Sequence, residues 1–159
     1  RDEYNGEKFS HASALRRCLE NENVKLLSFG IRNISEEEVK FYEKNRNRIE
    51  IFFMKDRDKW DLDKVIRKLK NKKIYVTFDV DCFDVSIMPA TGTPEPGGML
   101  WYDCLKILKE IILKSNLIGL DVNELSPIPG GHAYDFLVAK LIYKILNYNL
   151  ISQNKVNPH

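Results

Sequence analysis

No apolar run in this 159-residue chain approaches the ~20 residues that a bilayer-spanning helix requires. Its N-terminus also lacks the charged, apolar and small-residue order of a signal peptide. Charge of one sign is missing too: 25 Lys and Arg against 23 Asp and Glu leave a net +2, too weak a field to draw in nucleic acid or an acidic membrane surface. Cysteine is scarce. Cys18, Cys82 and Cys104 are odd in number and widely spaced, which suits neither a disulfide framework nor a thiolate zinc site and fits a reducing cytosol. There is no internal repeat, no low-complexity tract, no linker, and no Gly-rich phosphate loop directly after a strand. These absences describe a soluble, cytoplasmic protein with no nucleic-acid or membrane partner, which works on small molecules or with other subunits. The opening on Arg1 without a Met leaves open a targeting segment further upstream.

What is present is 43% hydrophobic and 30% charged, enough for one globular core over residues 1–159. Ser10 is a candidate N-cap for a helix that carries Ala14, Leu15, Cys18 and Leu19 on one buried face. Val24 to Gly30 reads as a strand. Ser35 with Glu38 has capping-box spacing, and three acids sit at the positive end of the helix dipole. Ile49 to Phe53 fits a strand buried on both faces, and Asp61 to Leu69 returns to helical spacing. Ile74 to Val80 is the next strand, followed by a Pro- and Gly-rich loop from Phe83 to Gly98. A helix with Trp101, Cys104, Leu105, Leu108, Ile111 and Ile112 on its inner stripe comes next. The strand Leu117 to Val122 and a helix from about Tyr134 to Tyr148 complete the pattern. Alternation of this kind predicts an α/β fold of three layers, α/β/α, around a mainly parallel sheet.

In such sheets ligands bind beyond the carboxyl ends of the strands. One strand ends Thr77-Phe78-Asp79-Val80-Asp81, and strand alternation puts Asp79 and Asp81 on one face roughly 6–7 Å apart. Two carboxylates at the edge of a core repel each other unless a cation sits between them or one takes up a proton; the plainer reading is a pair of Asx turns capping the loop. Oxygen ligands favour manganese or magnesium over thiolate-held zinc. A second strand ends Asp121-Val122-Asn123-Glu124, where Glu124 is either a solvated loop acid or a carboxylate able to grip a planar guanidinium with two parallel hydrogen bonds. The intervening loop, Met88 to Gly98, mixes residues that fix φ with residues that free it, which shapes a defined turn. The basic run Arg67 to Lys73 reads as a solvated helix end, His132 as structural, and Cys82 as a small buried residue in preference to an oxidisable thiol.

The run Val76-Thr77-Phe78-Asp79-Val80-Asp81-Cys82-Phe83-Asp84, continuing through Pro89-Ala90-Thr91-Gly92-Thr93-Pro94 to Gly97-Gly98, resembles the signature of the arginase and agmatinase (ureohydrolase) family. Gly119-Leu120-Asp121-Val122-Asn123-Glu124-Leu125-Ser126-Pro127 is similar to that family's guanidinium-facing segment. Phe9-Ser10-His11-Ala12 matches the place of its proton-transfer histidine. The resemblance implies an arginase-like fold, incomplete at the N-terminus, and a binuclear manganese site that activates water against a guanidinium carbon to release urea and an amine. It makes Asp79 and Asp81 metal ligands, His11 a proton shuttle, Glu124 the guanidinium anchor and Thr91 a substrate contact. It also implies a homo-oligomer.

Departures from the pattern are informative. The Gly-Gly-Asp-His and Asp-Ala-His-x-Asp segments that supply further family ligands are absent, so the chain resembles the C-terminal part of such a domain and carries two of the six metal-binding side chains. Val85 and Asn123 also differ from the usual residues. Tyr4 to Ser10 lacks the Ser/Thr- and Asn-rich pattern with which arginase-like members hold an α-carboxylate, which favours agmatine, converted to putrescine. Arginase or guanidinobutyrase activity, or a non-catalytic relative retaining the fold for binding or association, are the alternatives.

Overall fold

The computed structural model describes residues 1–156, with side chains to residue 154. Two compact units divide the chain, Arg1–Arg57 and Asp58–His159. The first holds α1 (Ala14–Cys18), β1 (Leu26–Ile31), α2 (Glu36–Lys44) and β2 (Ile49–Phe53). The second holds α3 (Leu62–Leu69), β3 (Lys73–Asp79), α4 (Trp101–Lys114), β4 (Asn116–Asn123) and α5 (His132–Val156). Each unit is built on one strand–helix–strand crossover. β1 pairs with β2 and β3 with β4, both in parallel, as the alternation of strands and helices requires.

In the first unit α2 starts where its sequence dictates. Ser35 Oγ accepts from Glu38 N at 3.3 Å while Glu38 Oε2 accepts from Ser35 N at 2.9 Å, so two otherwise orphaned donors are satisfied reciprocally. Phe29 and Phe52, register partners across the sheet, stack with centroids 4.4 Å apart. Two expectations fail here. The α1 face of Ala14, Leu15 and Cys18 is exposed, and only Leu19 is buried; a helix of five residues presents little more than one turn, too short to hold a facing layer. The turn before it, His11–Ser13, is 3-10, with Ser10 N donating to Ser13 Oγ at 3.2 Å. In β2, Ile49 and Phe52 are buried but their neighbours only half so, because a sheet two strands wide offers few residues to cover them.

The second unit contains the larger core. Asp61 caps α3 by accepting from Lys64 N at 2.9 Å, and Arg67 and Lys68 fall in its last turn, where cations favour the dipole. Cys104, Leu105, Leu108 and Ile112 form the buried stripe of α4, which packs against α3 and α5. On α5, Val138, Leu141 and Ile145 recur at three- and four-residue spacing and are buried. That helix begins at His132 and runs past Tyr148, longer at both ends than its apolar pattern predicts, since polar residues continue a helix once it is nucleated. No helix among the described residues is long and apolar enough to cross a membrane.

Candidate functional site

The carboxyl ends of β3 and β4 lie side by side, with Thr77 opposite Asp121 and Asp79 opposite Asn123. Period-two alternation therefore gathers Thr77, Asp79, Asp121 and Asn123 on one face of the pair. Thr77 Oγ1 donates to Asp121 Oδ1 at 2.7 Å, and the Asn123 amide donates to the same carboxylate oxygen. This polar knot fixes the strand ends from which Asp79 and Glu124 project.

Asp81 reaches the cluster by a route different from the one expected. β3 stops at Asp79, and Val80–Cys82 is a 3-10 turn, so strand alternation does not set the position of Asp81. Instead the Asp79 carboxylate accepts from Asp81 N at 3.0 Å and closes an Asx turn. The capping reading thus holds for Asp79, one of whose carboxylate oxygens serves the turn while the group stays beside Asp81. Thr93 Oγ1 donates to Asp81 Oδ2 at 3.3 Å, which ties the pair to the following loop.

Glu124 lies one residue beyond β4 at φ +65°, a conformation that costs an L residue of this type roughly 1–2 kcal/mol and that clusters at functional sites. The turn aims its carboxylate back at the loop, where Glu124 Oε2 comes within 4.0 Å of the position a Gly92 Cβ would take. Burial, with the negative charges of Asp81 and Glu124 beside it, pushes the Asp79 carboxyl up from 3.8 to about 6. Asp79 as a residue is exposed, so the desolvation comes from neighbours crowding its carboxylate and is partial.

Thr91 belongs to the same cluster. An antiparallel bridge joins it to Leu125, and Ser126 N donates to Ala90 O at 2.9 Å, which stitches the loop to the segment carrying Glu124. Thr91 is buried, and its Oγ1 has no hydrogen-bond partner. A buried hydroxyl in that state is costly, and any polar group or water seated beside it would relieve the cost.

The loop is held shut by Asp84, a residue to which sequence reasoning gave no role. Its carboxylate accepts from Ser86 N at 2.9 Å, Ser86 Oγ at 2.5 Å, Gly97 N at 2.7 Å and Gly98 N at 3.1 Å. These bonds, led by that of the Ser86 hydroxyl, hold the Asp84 carboxyl down to about 2. The Asp-x-Ser spacing and the distant Gly-Gly pair were the available signals.

Asp79, Asp81, Thr91 and Glu124 therefore come together in the second unit. His11 belongs to the first, where its ring meets that of Tyr4 edge-on at 5.8 Å. No group of three or more His, Cys, Asp or Glu side chains able to hold a metal occurs among the described residues. The two aspartates do suit a hard divalent cation as part of a larger ligand set: both are oxygen donors, and crowding of like charge at Asp79 is what a cation would relieve. A groove of about 710 Å³ between α4 and α5 has none of these four residues in its lining.

Residues 1–147 match the family model described as the arginase family. An N(1)-aminopropylagmatine ureohydrolase of Synechocystis is 37% identical over 98% of this chain and 50% of its own length. An agmatinase of Pyrococcus horikoshii is 32% identical over 92% of the chain and 50% of its own length. The crystal structure of the agmatine ureohydrolase of Thermoplasma volcanium superposes with a TM-score of 0.81 at 28% identity, covering 98% of this chain and 53% of that one. The chain spans about half the length of the curated relatives it matches, and its α/β architecture is that of arginases and agmatinases. With a family match over nearly its whole length, the chain belongs to the arginase family.

Proposed function

We propose that this chain is the C-terminal part of a single ureohydrolase domain that hydrolyses a guanidino C–N bond and releases urea, acting on agmatine to give putrescine. The observation that carries the reading is the convergence of three carboxylates at the ends of β3 and β4, with Asp79 lifted to about 6 by burial and by its two acidic neighbours. Asp79 and Asp81 would be two of the ligands of a manganese site. When bound, manganese would make water acidic enough to supply a nucleophile near neutral pH.

The chain's own residues do the rest. Glu124 faces the guanidinium and accepts two parallel hydrogen bonds from its fork of donors, which orients the planar group. Its φ of +65° turns the chain so that the side chain leaves toward Gly92, where an added Cβ would lie 4.0 Å from Glu124 Oε2. Thr91 offers its unpartnered hydroxyl to the substrate. His11 carries a proton to the leaving amine. Asp84, through the Gly97 and Gly98 amides, keeps the loop rigid around these groups. The working protein is a cytoplasmic homo-oligomer.

A second substrate has specific support: the relative at 37% identity is an aminopropylagmatine ureohydrolase, whose name implies the same bond cleavage on a longer amine. The test is urea release by the full-length protein with added manganese, supplied in turn with agmatine, N(1)-aminopropylagmatine and arginine. Release from agmatine, lost in Asp79→Ala and in Glu124→Gln, is the expected result. Preference for the aminopropyl compound would reassign the substrate and keep the chemistry. Urea from none of the three, or full activity in Asp79→Ala, would sink the proposal.

A further inference from the structure

Cys82 ends the 3-10 turn after β3, and Cys104 lies in the first turns of α4. The backbone draws these places together: Met99 N donates to Cys82 O at 2.9 Å, Asp84 N donates to Met99 O at 3.0 Å, and Phe83 and Met99 form a parallel bridge. The rings of Phe83 and Trp101 stack at 6.0 Å across the same junction. The Cys82 and Cys104 side chains come within interaction range there, and that contact together with burial holds Cys104 well above the usual thiol range. Cys104 is 2% exposed and Cys82 half-buried, so solvent reaches one sulfur of the pair and scarcely the other. Cys18, the remaining cysteine, is exposed on α1 in the other unit.

We propose that Cys82 and Cys104 form an oxidisable dithiol, which hydrogen peroxide converts to an intramolecular disulfide directly behind the carboxylate cluster. The Cys82 sulfur attacks one peroxide oxygen, the O–O bond breaks, and the departing hydroxide leaves as water with the thiol proton. The resulting sulfenic acid is attacked by the Cys104 sulfur. The S–O bond breaks, and hydroxide leaves as a second water with the Cys104 proton. Two thiols are oxidised by two electrons in all, and both peroxide oxygens are reduced to water. Burial shields Cys104 from peroxide in solution, so Cys82 is oxidised first, and its position beside Cys82, against its raised pKa, is what brings Cys104 to the second step. Because Cys82 follows Asp81 in the chain, the cross-link would anchor the neighbour of a site carboxylate to α4.

The test treats the full chain with hydrogen peroxide, blocks remaining thiols with iodoacetamide after denaturation, and maps the peptides by mass spectrometry. The expected product has lost about 2 Da before alkylation, links the peptides of Cys82 and Cys104, leaves Cys18 alkylated, and reverts with dithiothreitol. Cys18→Ser keeps that product and Cys82→Ser abolishes it. Cross-links that run through Cys18, sulfinic acid at Cys82 with Cys104 still alkylated, or no change in mass would each overturn the proposal. The wild-type peptide map decides the matter even where a cysteine variant fails to fold.

Discussion

Replacing Gly98 by Ala tests whether the Asp84 clasp defines the loop. A Cβ at Gly98 would lie 2.5 Å from Asp84 N, 2.5 Å from the Phe83 carbonyl carbon and 2.6 Å from Phe83 O. All three are backbone atoms, in a segment fixed by the 2.9 and 3.0 Å bonds between Cys82, Met99 and Asp84, so no side chain can swing aside. Carbon contacts settle near ~3.5–4.0 Å, and the backbone must therefore retreat by about 1 Å. Overpacking of that kind costs ~1–3 kcal/mol, and each hydrogen bond lost adds ~0.5–1.5 kcal/mol. A total of about 3 kcal/mol or more lowers Tm by roughly 6–12 °C in a protein of this size. Two neighbouring glycines calibrate the result. Gly97→Ala meets open space but sits at φ +79°, a strain of ~1–2 kcal/mol. Gly92→Ala finds its nearest atom at 4.0 Å and has no positive φ, so its cost stays within ~0.5 kcal/mol. Urea or thermal unfolding of the three variants should rank them Gly98, Gly97, Gly92 from most to least damaging. Equal stability of Gly98→Ala and wild type would refute the clasp.

Asp84 is held at about 2, below its ordinary 3.8, so the stability it contributes is complete above about pH 4 and is lost as pH falls through 2. Unfolding curves of wild type and Asp84→Ala should therefore converge at low pH, and a constant gap down to pH 2 would contradict the assignment. Asp79 has the opposite sign: its folded value of about 6 lies above 3.8, so it destabilises the metal-free chain increasingly as pH rises between those values. Asp79→Asn, which keeps an acceptor for Asp81 N, should stabilise the metal-free protein at pH 7 and leave it unchanged at pH 3.5 in the same unfolding assay. Thr91→Val removes an unpartnered buried hydroxyl, so folding should gain or stay within ~1 kcal/mol while urea release falls; equal loss of both would mean the hydroxyl serves the fold. Glu124→Gln preserves shape and should leave Tm within ~2 °C. The same variant should cut urea release by at least about 30-fold, as expected when one partner of a close charge pair is removed.

Elements with strong local signals were legible from sequence. Ser35 and Glu38 form the capping box that their spacing predicts, and Asp61 caps α3. Parallel pairing followed from helices lying between strands. Where a feature depends on neighbours remote in sequence, periodicity misled. Ala14, Leu15 and Cys18 have the spacing of a buried face, yet burial needs a facing layer that spacing does not supply. The separation inferred for Asp79 and Asp81 assumed a strand through both, and the Asx turn closed by Asp79 ended it two residues early.

The order of elements, the parallel crossovers, the identity of the carboxylates and the family resemblance were set by the sequence alone, since each rests on local pattern and residue type. The tertiary structure decided the rest. It crowded Asp79 against Asp81 and Glu124, left the Thr91 hydroxyl buried without a partner, closed the loop on Asp84, and brought the Cys82 and Cys104 sulfurs together. Each of these depends on atoms far apart along the chain, and their distances are fixed only once the strands and helices have packed.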